Sequence, residues 1–259
     1  MDTNLKRYEL FGWDYEYLNP LAEKEKAWYI KYAQRVGGTV LELACGSGRL
    51  LTAIAEAGYD VEGMDLSSSM IRLASERISQ LSSDVACRVV LCHADINAFE
   101  LYRRFGIIVI ADNSFREFGT RRQQLSSLGC VYRHLRSDGK LMVTVHRFKP
   151  SEFVGGKRLS DWSKPVHHPV THDLVKRKVE AELIENGRRT LSVYSYVTKH
   201  DDGSETIEEC ISEAPVMLTE DYLSLFAEVG FSSNVFVDYE ERVDDGESAV
   251  ICFVCDRLL

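Results

Sequence analysis

Apolar and polar positions alternate in blocks along the first half of this chain. Between residues 39 and 146, five short apolar runs (40–43, 61–64, 88–93, 106–111 and 140–146) are separated by longer stretches of helical period. After the first run, Leu50, Leu51, Ile54 and Ala55 recur on one face and Gly58 closes the segment. After the second, Ser67 stands as the N-cap of a helix through Met70, Ile71, Ala74 and Ile78. Before the fifth, Leu125, Leu128, Tyr132 and Leu135 share a face, and Ser-Asp-Gly at 137–139 supplies a turn. Strands alternating with helices in this way predict βαβ units and a parallel sheet covered on both faces.

Beyond Arg147 the period drops to two. Segments 172–184, 189–199 and 205–214 read as strands joined at Glu-Asn-Gly (185–187) and Asp-Asp-Gly (201–203), both hairpin signals. Residues 219–231 then read as a helix, with Thr219 as cap, Leu223, Phe226 and Ala227 as apolar face, and Gly230 as stop. Two strand patterns, 232–238 and 248–256, finish the chain. At the other end, a tyrosine-rich segment precedes a helix carrying Leu21, Trp28, Tyr32 and Val36. The expected organisation is one domain over 1–259. It has an N-terminal cap (1–36), a core (37–146), an antiparallel insertion or lid (147–214), and a closing helix with two strands (215–259).

Composition narrows the function. At 259 residues with 45% hydrophobic and 27% charged positions, the chain can bury a sizeable core. The net charge of -9 and the scattered Lys and Arg argue against a nucleic-acid partner held by phosphate neutralisation. No apolar run reaches membrane-spanning length, and the polar start "MDTNLKRYEL" is unlike a signal peptide, so no membrane partner and a cytoplasmic location are expected. The seven cysteines form no disulfide-like framework, which fits a reducing compartment. Cys252 and Cys255 make a CxxC, but within a strand they point to opposite faces and fill the core. No metal is expected. His168 and His172 in "HHPVTHD" are four apart, but a proline breaks any helix and no ligand set is completed.

The chemistry lies in "TVLELACGSGRLLTAIAEAGYDVEGMDLSSSM", residues 39–70. Gly46 and Gly48 follow the first strand and Asp65 ends the second. Ligands of an open parallel sheet bind beyond the carboxyl ends of its strands, and a carboxylate there suits two ribose hydroxyls. A nucleoside-containing ligand follows. A dinucleotide fingerprint would place a third glycine where Leu51 stands, and no Gly-Lys-Ser/Thr completes a P-loop.

"VLELACGSG" resembles the first motif of class I S-adenosylmethionine-dependent methyltransferases. "GMDLSSSM" resembles their ribose-binding acidic motif, "CHADI" their adenine-edge motif, and "RHLRSDGKLMVTV" their helix–turn–fifth-strand segment. The resemblance implies a Rossmann-like, doubly wound seven-stranded α/β sheet with an antiparallel β insertion after the fifth strand. It implies S-adenosyl-L-methionine as cofactor, with S-adenosyl-L-homocysteine as product. Glu42, Gly46 and Gly48 would hold the methionine end, with Ala44 where many relatives have glycine. Asp65 would bind the ribose, Leu66 and Met70 would pack near the adenine, and Asp95 with Ile96 would read its edge. Ala94 and Ala111 would complete that surround at two further strand ends.

The acceptor side is similar to glycine N-methyltransferases and to sugar-amine N-methyltransferases. "NSF" and "HRF" place Asn113 against a substrate amine and Arg147 against a substrate carboxylate, with Asp112 where those enzymes have glycine. Tyr8, Tyr15 and Tyr17 would line the pocket, Tyr17 touching cofactor and acceptor. Transfer from a sulfonium is an in-line displacement that needs positioning and a neutral nucleophile rather than a metal. The expected activity is methyl transfer to a small-molecule acceptor, foremost an amine nitrogen. Transfer to oxygen or carbon, and a non-catalytic protein that binds the cofactor, stay open. The oligomeric state stays open too, a homodimer being the one oligomer considered.

Overall fold

The structure, a computed structural model, describes residues 3–258 apart from the side chains of Tyr15 and Glu16. The expected pocket role of Tyr15 therefore lies outside the described residues. Two compact units form. The larger comprises Leu21–Arg147 and Met217–Leu259, and the smaller Met1–Pro20 and Phe148–Val216. Where the sequence suggested one domain with a continuous N-terminal cap, the cap divides at Pro20.

In chain order the first elements are α1 (Thr3–Phe11), α2 (Asp14–Leu18), α3 (Glu23–Val36), β1 (Val40–Leu43), α4 (Arg49–Glu56), β2 (Val61–Asp65), α5 (Ser68–Ser79) and α6 (Ser83–Ala86). Then come β3 (Val89–His93), β4 (Phe105–Ile110), α7 (Arg121–His134), β5 (Leu135–His146), β6 (Lys157–Leu159), β7 (Val166–His167) and β8 (Leu174–Ile184). The chain finishes with β9 (Arg189–Lys199), β10 (Glu205–Pro215), α8 (Thr219–Val229), β11 (Phe231–Val237), β12 (Glu240–Val243) and β13 (Val250–Arg257).

In the larger unit the sheet order is β12-β11-β13-β5-β4-β1-β2-β3. Strands β1 to β5 run parallel, and β13 inserts antiparallel between β5 and β11. The seven expected strands are there. An eighth, β12, pairs with β11 at the edge. From β1 the order runs to β2 on one side and β4 on the other, so the switch point lies at the carboxyl ends of β1 and β4.

Both faces of this sheet are packed. Cys255 belongs to the apolar cluster of Leu41, Leu43, Phe226 and Phe253, whereas Cys252 belongs to that of Trp28, Tyr29, Val40 and Leu51. The CxxC sulfurs are buried on opposite faces, as strand alternation requires. Ser67 caps α5 by accepting from Met70 N–H at 3.2 Å. Three details differ from expectation. Residues 137–139 stay within β5, where Phe105 pairs with Leu135 but Ile107 with Lys140; the extra residues are absorbed as a bulge braced by an Arg136–Asp138 ion pair. Helix α8 starts at Thr219 rather than being capped by it, because Asp221 reaches back to Leu218 N–H at 2.7 Å. Its buried residues are Tyr222, Leu225 and Phe226, so the apolar face is rotated toward the aromatic cluster with Phe115 and Phe253.

In the smaller unit β6, β8, β9 and β10 form an antiparallel sheet, with β7 paired to β8. Turns at 185–187 and 201–203 use the left-handed Asn186 (φ 57) and Gly203 (φ 83). Helices α1 and α2 pack here. Phe11 stacks on Tyr196 at 4.0 Å, and fully buried Asp14 receives Arg177 at 2.7 Å, the Tyr196 hydroxyl at 2.8 Å and Arg7 at 3.4 Å. The histidines of 167–172 shape a turn: His168 Nδ1 accepts from Thr171 N–H at 3.1 Å and His167 Nδ1 donates to His172 O at 2.8 Å. Among the described residues no three His, Cys, Asp or Glu side chains gather as metal ligands, and no helix is long and apolar enough to cross a membrane.

Candidate active site

The loop after β1 takes a left-handed path, with Ala44 at φ 55, Gly46 at φ 55 and Gly48 at φ 77. Glycine tolerates that region without a Cβ clash, so Gly46 and Gly48 let the backbone turn sharply into α4. At Gly48 a Cβ would meet the Ala74 Cβ at 3.2 Å, which keeps α4 and α5 close.

Asp65 organises this turn from the neighbouring strand. Its Oδ2 accepts from Gly46 N–H and its Oδ1 from Ser67 N–H, each at 2.8 Å. Burial pushes its carboxyl up, and these backbone donors oppose the shift. A carboxylate offers about four acceptor positions, so roughly two remain for a ligand.

Glu42 is 4% exposed, on β1 just before the loop. It receives a backbone hydrogen bond from Leu51, yet its Oε2 has no hydrogen-bond partner among the described residues. Burial pushes the carboxyl well above its ordinary range, only partly offset by Arg49. An orphaned buried carboxylate oxygen beside a glycine loop is complementary to a ligand cation.

The other predicted residues fall along the same strand ends. Met70 is buried on α5 and Leu66 is exposed, its carbonyl 2.9 Å from His93 Nε2. Ala94 N–H donates to Asp65 O at 3.1 Å, joining the ends of β2 and β3. Asp95 is exposed and Ile96 buried; one Asp95 oxygen accepts from Asn97 N–H at 2.8 Å, which makes a local turn. Ala111 is buried at the end of β4.

The next two residues, Asp112 (φ 48) and Asn113 (φ 69), are both left-handed without being glycine. Asp112 pairs with Arg49 at 3.1 Å and stands 3.5 Å from His146 Nε2. Asn113 Oδ1 accepts from His146 N–H at 3.2 Å, so part of its acceptor capacity is spent on β5. Thr144 accepts from Asp112 N–H at 3.2 Å and bonds the Tyr29 hydroxyl at 2.7 Å. Glu25 and Tyr239 approach the same group; burial, then Asp112, raises the Glu25 carboxyl.

Arg147 is not poised as the sequence suggested. Its guanidinium ion-pairs with Asp244 and its Nε donates to Ser248 O at 2.8 Å, in the loop before β13. A substrate carboxylate would have to displace Asp244. In the smaller unit, Tyr8 lies under the Arg7 guanidinium, and Tyr17 on α2 is 47% exposed with its ring edge toward Trp13. Sequence reasoning missed Arg49, His146, Glu25 and Tyr239. The "VHRF" stretch could have flagged His146, since it ends the fifth strand, and Arg49 directly follows the glycine loop; Glu25 and Tyr239 come from elements with no motif of their own.

Residues 40–139 match the model of a methyltransferase domain. The matched segment runs from β1 through β4 into β5 and includes the glycine loop after β1, the arrangement expected of the class I, S-adenosylmethionine-dependent type. Among curated proteins, a putative methyltransferase of Bacillus subtilis is 29% identical over 132 residues, 51% of this chain and 52% of that protein. A dTDP-3-amino-3,6-dideoxy-alpha-D-glucopyranose N,N-dimethyltransferase of Streptomyces fradiae is 29% identical over 118 residues, 46% of this chain and 43% of that protein. The matches thus span about half the length of these curated relatives. The same fold recurs in the S-adenosylmethionine-bound structure of an amino pentose methyltransferase of Micromonospora echinaspora. That likeness has a TM-score of 0.66 and 19% identity, covering 90% of this chain and 89% of that one.

Proposed function

We propose that this protein transfers a methyl group from S-adenosylmethionine to the nitrogen of a small-molecule amine, an amino sugar being the favoured acceptor class. The observation that carries the cofactor assignment is the unpartnered Glu42 Oε2, buried beside the left-handed Gly46–Gly48 turn. The cofactor's α-amino group is a cation of the right kind for it, and the remaining acceptor positions of Asp65 suit ribose hydroxyls. Leu66, Met70, Asp95 and Ile96 would flank the adenine.

The cofactor supplies an electrophilic methyl on a sulfonium. The chain's own work is to hold that group in line with the acceptor and to present an unprotonated nitrogen. Two carboxyls, Asp112 paired with Arg49 and a Glu25 whose carboxyl is raised by burial, border the ends of β4 and β5, where they can accept hydrogen bonds from an acceptor amine. The engagement of Arg147 by Asp244 argues against an amino-carboxylate acceptor and favours the amino-sugar reading. The amino-sugar methyltransferase relative supports the same choice.

Isothermal titration with S-adenosylhomocysteine tests the cofactor half directly. The parent should bind it with a single site while Glu42→Gln binds at least about tenfold more weakly, from loss of a charge-assisted hydrogen bond. Equal affinities would remove Glu42 from the site.

A further inference from the structure

We infer that His146, oriented by Asp112, is the proton acceptor for the attacking amine; this rests on the methyl-transfer reading above. His146 ends β5 and Asp112 follows β4, adjacent strands next to the switch point, with Nε2 3.5 Å from Oδ1. Asp112 is itself fixed, by Arg49 at 3.1 Å on one side and by its own N–H to Thr144 at 3.2 Å. Its backbone lies at φ 48, where glycine would be unstrained. Aspartate is among the few residue types that tolerate this region, and its placement there turns the carboxylate toward the end of β5. The His146 backbone is pinned as well, through its N–H to Asn113 Oδ1. The imidazole, 59% exposed, can exchange its proton with solvent between turnovers.

The chemistry calls for such a group. An ammonium has no lone pair, so the acceptor must lose a proton before it can attack. In the neutral ring the proton sits on Nε2, toward Asp112, and Nδ1 carries the lone pair. An N–H bond of the acceptor breaks and an N–H bond forms at Nδ1, giving free amine and imidazolium. The amine lone pair then forms the N–CH3 bond as the S–CH3 electron pair returns to sulfur. The imidazolium releases its proton to water, and the methylated ammonium leaves. Around this pair stand Arg49 from α4, Glu25 from α3 and Tyr239 from the turn between β11 and β12. Arg147, the residue after His146, is engaged by Asp244.

The test measures kcat/KM against pH with two amino sugars of different amine basicity, for the parent, His146→Gln and Asp112→Asn. Titration of each variant with S-adenosylhomocysteine confirms an intact cofactor site. The parent should lose activity on acidification along a limb that is the same for both acceptors, because it reports the imidazole. His146→Gln should fall about a hundredfold in kcat with little change in acceptor KM, be rescued in part by added imidazole, and show a limb that tracks each acceptor's own basicity. Asp112→Asn should fall about tenfold and keep the acceptor-independent limb. If the parent transfers methyl but His146→Gln keeps its rate and limb, the amine deprotonates into solvent and this inference is wrong, while the methyl-transfer reading stands. If the parent transfers to neither amine, the reading beneath it fails first.

Discussion

Asp65 Oδ2 accepts the N–H of Gly46 at 2.8 Å, which ties the end of β2 to the loop after β1. The carboxylate proposed to meet the ribose is thus also the part that shapes the glycine turn. Asp65→Ala should therefore act twice. It should weaken S-adenosylhomocysteine binding by about 1.5–3 kcal/mol and lower the stability of the free protein by a similar amount, as two charge-assisted backbone hydrogen bonds are lost. Titration calorimetry and urea unfolding read the two effects separately. Lost affinity with unchanged stability would mean that the turn holds itself.

Glu42 gives the opposite pairing of effects. Its folded carboxyl titrates above the ordinary value of 4.5, chiefly through burial, so the folded state binds the extra proton between the two values. Stability from this group is fully present below pH 4.5 and is lost as pH rises through the folded value. Glu42→Gln should thus stabilise the ligand-free protein near neutral pH by about 1–3 kcal/mol, the gap closing toward the acid end. Melting curves across pH check this; a destabilised Gln variant at neutral pH would show that the carboxylate is satisfied without ligand.

At Gly48 the turn and the helix contact coincide. Gly48→Ala places a Cβ 3.2 Å from the Ala74 Cβ on a residue at φ 77. A loss of about 1–2 kcal/mol is expected from the backbone strain, with weaker cofactor binding as α4 is displaced. Unfolding midpoints with and without S-adenosylhomocysteine measure both.

Arg147→Ala separates two acceptor classes. With the guanidinium committed to Asp244 and Ser248 O, the variant should lose about 1–2 kcal/mol of stability. Its acceptor KM for amino sugars should stay within about threefold of the parent. A large, selective rise in KM for amino acids would restore the carboxylate role.

In the smaller unit, Asp14 is fully buried among Arg7, Arg177 and Tyr196. Asp14→Ala removes the carboxylate that Arg7 and Arg177 share and should cost about 3–5 kcal/mol in that unit.

Much of the larger unit was legible because its signals are local. Apolar runs of strand length, Ser67 before α5 and glycines that only a turn explains each fix their own neighbourhood. The bulge at 137–139 was not, since Ser-Asp-Gly reads as a turn whether or not the next strand absorbs it. The rotated face of α8 follows from Phe115 and Phe253, residues far along the chain that periodicity cannot register. The same limit applies to the site. Gly46, Gly48 and Asp65 follow from position on the strands. Which partner takes Arg147 depended on a loop nearly a hundred residues later, and the Asp112–His146 pair on two strands meeting side by side.

The central claim is methyl transfer to an amine nitrogen, and mass spectrometry of an amino sugar incubated with the protein and S-adenosylmethionine carrying an isotopically labelled methyl tests it most directly. The account predicts the labelled methyl on nitrogen, with one S-adenosylhomocysteine formed per methyl transferred. A label on oxygen or carbon, or tight S-adenosylhomocysteine binding with no transfer to any amine, would contradict it.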